Sequence, residues 1–230
     1  DLKSINSTKK VIKFSKNKKY KRAQIIYCPP YTLLDKFLKI TNNSKIKIGA
    51  QNCHHSQIPG AYTGSINAGL IKSIGAKYVI IGHSENRVSG DTNHIINLKI
   101  KSAIKNNLNI IFCIGETLIE KKNKKTNSII SKQIKAGLKN IKKKSNIFIA
   151  YEPVWAIGTG IVPKSDDLLK TIKFIKSKFK GKLPKVLYGG SVDPKNINNL
   201  KKINNIDGFL IGGASQSSKK FIDIVKKTYS

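Results

Sequence analysis

Glu152 stands in the stretch Ala150-Tyr151-Glu152-Pro153-Val154-Trp155-Ala156-Ile157-Gly158-Thr159-Gly160, directly behind the apolar run Ile147-Phe148-Ile149. Such a run reads as a strand buried on both faces. The carboxylate falls where that strand ends, and Pro153 stops the ladder because it has no N–H to donate. Glu152 is therefore held on a rigid element, and the segment after it, with Gly158 and Gly160, can move. A base at a strand tip under a glycine-hinged lid suits proton chemistry away from water. A lone strand-end glutamate more often belongs to an ordinary turn, so the reading depends on what else the chain brings to the same end.

His83 closes another apolar run in Gly82-His83-Ser84-Glu85-Asn86-Arg87. An imidazole at a strand tip can act as acid, base or hydrogen-bond donor, or can simply be satisfied by neighbouring backbone. His54 and His55 in a loop and His94 in a helix read as surface or packing residues. Gly189-Gly190-Ser191 and Gly212-Gly213-Ala214-Ser215 follow the last two predicted strands. Bare glycine backbone lets a phosphate approach several N–H groups, although glycine also just makes turns. A carboxylate, an imidazole and two glycine cradles together fit proton abstraction next to a carbonyl in a small phosphorylated substrate.

These residues need a scaffold that brings many strand ends together. The spacing predicts an amphipathic basic helix over 2–21 (Leu2, Ile5, Val11, Ile12, Phe14), and strands over 24–28, 46–52, 78–84, 109–115, 147–152, 185–191 and 208–214. Helices are predicted over 32–40, 65–74, 91–106, a long basic region around Ile130, Ile134, Leu138 and Ile141, 165–179, a turn from Asp193-Pro194, and a C-terminal helix carrying Phe221, Ile222 and Val225. Ser65, Asp91 or Thr92, Ser165 and Asp193 are the expected caps. The strands are continuous apolar runs, as in a parallel sheet covered on both faces. Polar and glycine-rich residues recur at their C-terminal ends, where a (β/α) barrel builds its site. A doubly wound sheet would more often open on one dominant glycine-rich turn. No linker or low-complexity tract divides residues 1–230, so one domain is expected.

Composition bounds the remaining classes. The chain has 230 residues, 39% hydrophobic, enough for an ample core. No run approaches the ~18 apolar residues of a membrane span. Cys28, Cys53 and Cys113 form no CxxC pair, which predicts reduced thiols in the cytoplasm and no metal site. The net charge of +32 raises nucleic-acid binding as a class. Aromatics are only 7% and do not interleave with basic runs such as Lys142-Lys143-Lys144, so nucleic acid is not the expected partner. A positive field can equally attract an anionic substrate.

The segments Gly60-Ala61-Tyr62-Thr63-Gly64, Ile81-Gly82-His83-Ser84-Glu85, Cys113-Ile114-Gly115-Glu116, Ala150 to Gly160, Tyr188-Gly189-Gly190-Ser191 and Ile211-Gly212-Gly213-Ala214-Ser215 resemble the triosephosphate isomerase family, in its order and across nearly the whole chain. The resemblance implies a (β/α)8 TIM barrel without cofactor or metal. It implies interconversion of dihydroxyacetone phosphate and D-glyceraldehyde 3-phosphate through an enediol(ate), a step of glycolysis and gluconeogenesis. Glu152 would be the base and His83 the neutral electrophile. This family is the established instance of an imidazole kept uncharged by a helix N-terminus under a lid that excludes water. Gly158, Ser191, Gly212 and Gly213 would bind the phosphate, with Ser84 and Glu85 supporting the site. Thr63 would reach into a second subunit of a homodimer.

Three departures accompany the resemblance. The family opens with a strand ending in Asn-x-Lys, and nothing here matches it: Lys3, Lys9 and Lys10 fall on the first helix. With no methionine in the chain, the first strand and its lysine are expected upstream of Asp1, in a longer protein. A chain beginning at Asp1 would be an open barrel, expected to be inactive for want of that lysine. Where the family usually has Glu and Arg, the chain has Ser65 and Asn86, which alters the dimer contact. The lid continues as Ile161-Val162-Pro163, less polar and slightly shorter than usual. The rival readings are another phosphate-binding barrel enzyme, which would not need Glu152 or His83, and a basic, inactive barrel that binds nucleic acid.

Overall fold

The computed structural model describes residues 2–58, 60–142 and 144–230. Asp1, Pro59 and Lys143 lie outside the described residues, as do the side chains of Leu2 and Lys3. Seven parallel strands form one sheet in sequence order: β1 (Ile26–Tyr27), β2 (Lys47–Ala50), β3 (Tyr78–Ile81), β4 (Asn109–Ile114), β5 (Ile147–Tyr151), β6 (Val186–Tyr188) and β7 (Gly208–Phe209). Each pairs with the next, in registers such as Cys113 opposite Ala150 and Ile114 opposite Tyr151. No pairing joins β7 to β1 among the described residues. The helices are α1 (Leu2–Ser15), α2 (Tyr31–Thr41), α3 (Ala68–Ser73), α4 (Ser84–Val88), α5 (Asn93–Lys105), α6 (Leu118–Lys122), α7 (Thr126–Gly137), α8 (Ser165–Ser177), α9 (Ile197–Leu200) and α10 (Ser218–Tyr229). The fold is the α/β TIM barrel that the strand pattern predicts, with seven strands in place.

The continuous apolar runs are explained by two cores. Alternate strand residues face opposite sides. Val79, Ile81, Ile110, Phe112, Ile114, Ile149 and Tyr151 pack outward against helix residues such as Ile96, Ile100, Ile130, Leu168 and Ile172. Tyr78, Ile80, Ile111, Cys113 and Ala150 form a smaller cluster inside the curl, joined by half-buried Ile26, Phe148, Leu187 and Leu210. Phe148 and Ala150 face inward, so Glu152, two residues on, belongs to the same inward series at the C-terminal mouth. Outside, Ser218 N–H donates to Ser7 Oγ at 3.0 Å and Tyr27 stacks on Phe221 at 5.4 Å, which brings α1 and α10 beside β1.

Several local expectations are corrected. The first helix stops at Ser15, and a separate 3-10 turn, Lys18–Tyr20, follows with Asn17 as its cap. The strands are shorter than predicted because the polar residues at their ends leave the ladder; β7 ends at Phe209 and Gly213 opens a 3-10 turn to Gln216. Asn67, not Ser65, caps α3, and its side chain accepts from Leu70 N. Ser165 is already inside α8 and makes no cap bond. Asp193 caps no helix; its Oδ1 accepts from Lys195 N and Asn196 N in a turn ahead of α9. The long basic helix divides into α6 and α7, because Lys124 takes a left-handed φ of 55° between them.

Helix and sheet come close at Gly137, the last residue of α7. A Cβ there would lie 2.5 Å from Phe112 Cζ. Asn97, buried on α5, donates to Gly137 O at 2.8 Å and Lys139 O at 3.0 Å and fixes that end. Neither neighbour can give way cheaply. Gly137→Ala is therefore expected to lower stability by about 1–3 kcal/mol through overpacking, read as a lower urea midpoint at unchanged slope.

Candidate active site

Glu152 is 2% exposed at the tip of β5. Its backbone extends the ladder by one bond, N–H to Ile114 O at 2.8 Å, and Val154 N–H reaches Glu116 O at 3.0 Å. Pro153 between them donates nothing. The strand tip comes so close to β4 that a Cβ on Gly115 would overlap the Glu152 carbonyl oxygen. On the other side, a Cβ on Gly189 would lie 2.9 Å from Glu152 Cγ. Two glycines thus make the slot that the glutamate occupies.

The carboxylate meets the tip of β3. Ser84 N–H donates to Oε2 at 3.3 Å. His83 Nε2 lies 3.4 Å from Oε1, without the alignment of a hydrogen bond. Oε1 is consequently buried with no hydrogen-bond partner among the described residues. His83 is the N-cap of α4, and its Nδ1 accepts from Glu85 N at 3.3 Å. An N–H can donate only to a bare ring nitrogen, so the ring proton of this neutral tautomer is on Nε2. The donor edge of the imidazole therefore faces the mouth. Burial pushes the Glu152 carboxyl above its ordinary 4.5, and His83, the Cys113 thiol, Ser84 N–H and Arg87 pull against that rise.

A second buried carboxylate sits beside it. Glu116, 1% exposed, follows β4. It accepts from Tyr151 OH at 3.2 Å and from Trp155 Nε1 at 3.0 Å. Lys121 Nζ lies 3.4 Å from the centroid of the Trp155 ring. Burial raises the Glu116 carboxyl as well, against the hydrogen bonds from Trp155 and Tyr151. The indole of the following loop is thus clamped to the neighbouring strand. Beyond it the chain makes a short 3-10 turn, Val154–Ala156, and then an exposed arch where Gly158 and Gly160 adopt φ of 71° and 78°. Thr159 Oγ1 braces the arch, donating to Ala156 O at 3.3 Å and accepting from Ile161 N at 3.1 Å.

The residues singled out from sequence fall in four places. Glu152, His83 and Ser84 are in mutual contact. Gly158, Ser191, Gly212 and Gly213 lie beyond the C-terminal ends of β5, β6 and β7, on the rim that Glu152 occupies. A Cβ would meet nothing within 4 Å at Gly212 or Gly213, and neither has a positive φ. The space beside both positions is open within the chain, and Gly212, with φ −83° and ψ −108°, has backbone angles outside the regions ordinary for residues that carry a side chain. Glu85 turns away: its side chain is 86% exposed and its carboxylate stands 3.8 Å from His83 Nδ1. Thr63 is exposed on the separate loop between β2 and α3. Two site residues were not anticipated, Cys113 and Arg87. The inward alternation Ile111–Cys113 could have placed the first; the second lies on α4, a helix too short for periodicity to show.

Parallel strands, an inward carboxylate and imidazole at their C-terminal tips and glycine turns after the last two define a barrel enzyme for proton transfer on an anionic substrate. The comparisons agree. The sequence model of the triosephosphate isomerase family matches residues 2–228. A triosephosphate isomerase of Dictyoglomus thermophilum is 42% identical over 228 residues, covering 95% of this chain and 90% of that one. One from Thermodesulfovibrio yellowstonii is 41% identical over 210 residues, covering 88% and 85%. The crystal structure of triosephosphate isomerase from Bartonella henselae superposes with a TM-score of 0.88 at 34% identity, covering 99% of this chain and 93% of that one. The chain belongs to the triosephosphate isomerase family.

The buried carboxyl has a consequence for stability with a definite sign. Below about 4.5, the ordinary value, Glu152 is protonated in folded and unfolded chains alike. As pH rises through the higher folded-state value, the unfolded chain ionises first and the native state loses stability. Glu152→Gln carries no such charge. It is expected to melt above wild type at pH 8, by on the order of a few degrees, with the gap closing toward pH 4; a constant gap across the titration would contradict the account.

Proposed function

We propose that Glu152 is the base of an aldose–ketose isomerisation of triose phosphates, with His83 as the electrophile. The observation that carries this is the buried Oε1 without a hydrogen-bond partner, 3.4 Å from an imidazole whose remaining proton faces the mouth. Burial raises the basicity of the carboxylate toward the range where a base is effective. Ser84 N–H holds Oε2, and His83 Nε2 stands 3.4 Å from Oε1 without bonding it. A substrate carbonyl entering between them takes the Nε2–H, and the carboxylate swings onto the adjacent carbon.

Glu152 then removes a proton from C1 of dihydroxyacetone phosphate. The C–H electrons form the C1–C2 double bond, and the C2 oxygen takes up negative charge opposite His83 Nε2–H. Return of the proton to C2, with the hydroxyl hydrogen passing from O1 to O2, gives glyceraldehyde 3-phosphate. No net oxidation occurs, and the step needs no redox cofactor. The phosphate is read by the N–H groups around Ser191, Gly212 and Gly213 and by Gly158 in the arch. The openness of Gly212 and Gly213 supports this. Clamping of Trp155 to Glu116 leaves the arch beyond it as the part that closes. Glu85 lies outside the reacting centre and contributes its backbone N–H, which fixes the imidazole tautomer.

The loop after β2 supports a homodimer. Ile58 is 63% and Tyr62 46% exposed there, beside Thr63, with Tyr62 stacked on His54 at 4.8 Å. A second copy of the chain is the proposed occupant. One contiguous outer core from Ile5 to Val225 supports a single barrel domain. Three free thiols, Cys53 and Cys113 buried and Cys28 half-buried, fit a cytoplasmic setting, and no helix among the described residues is long and apolar enough to cross a membrane.

Glu152→Gln is expected to lower kcat by about 10²–10⁴-fold with its fold intact, measured by a coupled assay from either triose phosphate. A variant turning over at the wild-type rate would remove the assignment. In the wild type, the acid limb of kcat/KM is expected above the ordinary glutamate value of 4.5. Thr63→Arg is expected to shift sedimentation velocity from a dimer toward a monomer; unchanged sedimentation would place the contact elsewhere.

A further inference from the structure

We infer that Arg87 is a positioning residue for Glu152, a fixed cation that grips the backbone behind the groups touching the carboxylate. Its Nε donates to Gly82 O at 2.8 Å. That carbonyl immediately precedes His83, and Ser84 follows. Its Nη2 donates to Cys113 O at 3.1 Å, and the Cys113 thiol lies against the Glu152 carboxyl. Its Nη1 donates to Asn93 Oδ1 at 2.8 Å, which ties the fork to the start of α5. One planar guanidinium therefore fixes the tips of β3 and β4 at a set separation, with Glu152 entering from β5 beside them. Lysine could not reproduce the fork.

The surrounding backbone is shaped to admit the fork. Gly82 has a φ of 79°, and a Cβ there would lie 3.2 Å from Nη2 and 3.1 Å from Cys113 O. The groups facing Arg87 are the Cys113 thiol on β4, Glu152 at the tip of β5 and Asp91 ahead of α5. Asp91 is already engaged by Lys99 at 2.6 Å. The Cys113 thiol is held far above its ordinary range by burial and by the Glu152 charge, so it stays neutral. Of these facing groups, Glu152 is the carboxylate without its own counter-ion from a lysine or arginine side chain. Arg87 thus supplies geometry through three hydrogen bonds and favours the ionised base through its charge. His83 and Ser84, which contact the carboxylate directly, are presented to it by the turn that Arg87 holds.

This rests on Glu152 being the base, and the experiment separates the two claims. Arg87→Gln, Arg87→Lys and Glu152→Gln are assayed together as purified proteins over pH 5–9, with circular dichroism and thermal melting recorded for each. Arg87→Gln is expected to lose about 10- to 100-fold in kcat, with KM changed less than about threefold and the acid limb of kcat/KM moved to higher pH. Arg87→Lys, which keeps the charge and loses the fork, is expected to show the lowered kcat with the acid limb near its wild-type position. If Arg87→Gln does not fold, that separation of kcat from the acid limb in Arg87→Lys decides the matter. Wild-type kcat in a folded Arg87→Gln, or a lowered kcat with an unmoved acid limb, overturns the inference. An active Glu152→Gln variant instead overturns the base assignment beneath it.

Discussion

Burial of one carboxylate at a strand tip is the constraint around which the mouth of this barrel is arranged. An ionised carboxyl removed from water is costly unless polar partners replace its hydration. Glu152 receives few: one backbone N–H on Oε2, a thiol, and an imidazole edge beside Oε1. That shortage makes the group a stronger base than an exposed glutamate. A fully satisfied carboxylate would be more stable and less basic. The structure keeps the deficit local by fixing everything around it, through the Gly115 and Gly189 slot and the backbone turn at His83.

The two buried carboxylates at neighbouring tips show how surroundings divide their roles. Glu116 and Glu152 follow adjacent strands and are equally hidden. Glu116 is engaged by a phenol and an indole, both rooted in the Glu152 segment itself. It serves as an anchor, tying β5 and the base of the arch to β4. Glu152 has an oxygen with no such partner and a donor at hand that a substrate can claim. The clamp therefore ties the strand tip that carries Glu152 to β4 and leaves the arch beyond Trp155 outside it.

Much of this was legible in the sequence, for physical reasons. Strands buried on both faces leave long apolar runs, so all seven were visible, as were the glycine turns at their ends. Glu152 and His83 showed because each directly ends such a run. Boundaries were less legible. Ladder hydrogen bonds stop before the apolar character does, and α4, five residues long, is below the reach of periodicity. Caps at α3 and α8 were misplaced because serine competes with asparagine and with uncapped starts, and only the geometry decides. Cys113 and Arg87 stayed hidden for another reason. Their importance comes from contacts across strands β3, β4 and β5, which neighbours in sequence do not record.

The remaining feature, the charge of +32, fits the same picture without a separate partner. Lysines lie on exposed helix faces, while the buried cationic groups near the site are few and committed. Lys99 is held by Asp91 and Asn52, and Arg87 by three acceptors. A diffuse positive field raises the encounter rate of a small anionic substrate and is screened over about 10 Å at 0.1 M salt. It does not orient the bound molecule. In the proposed reading, orientation falls to short-range donors on rigid elements: the imidazole edge at β3 and the glycine backbone after β6 and β7. Long-range charge can therefore vary widely over this surface while the chemistry stays fixed by a few ångströms of backbone at the strand tips.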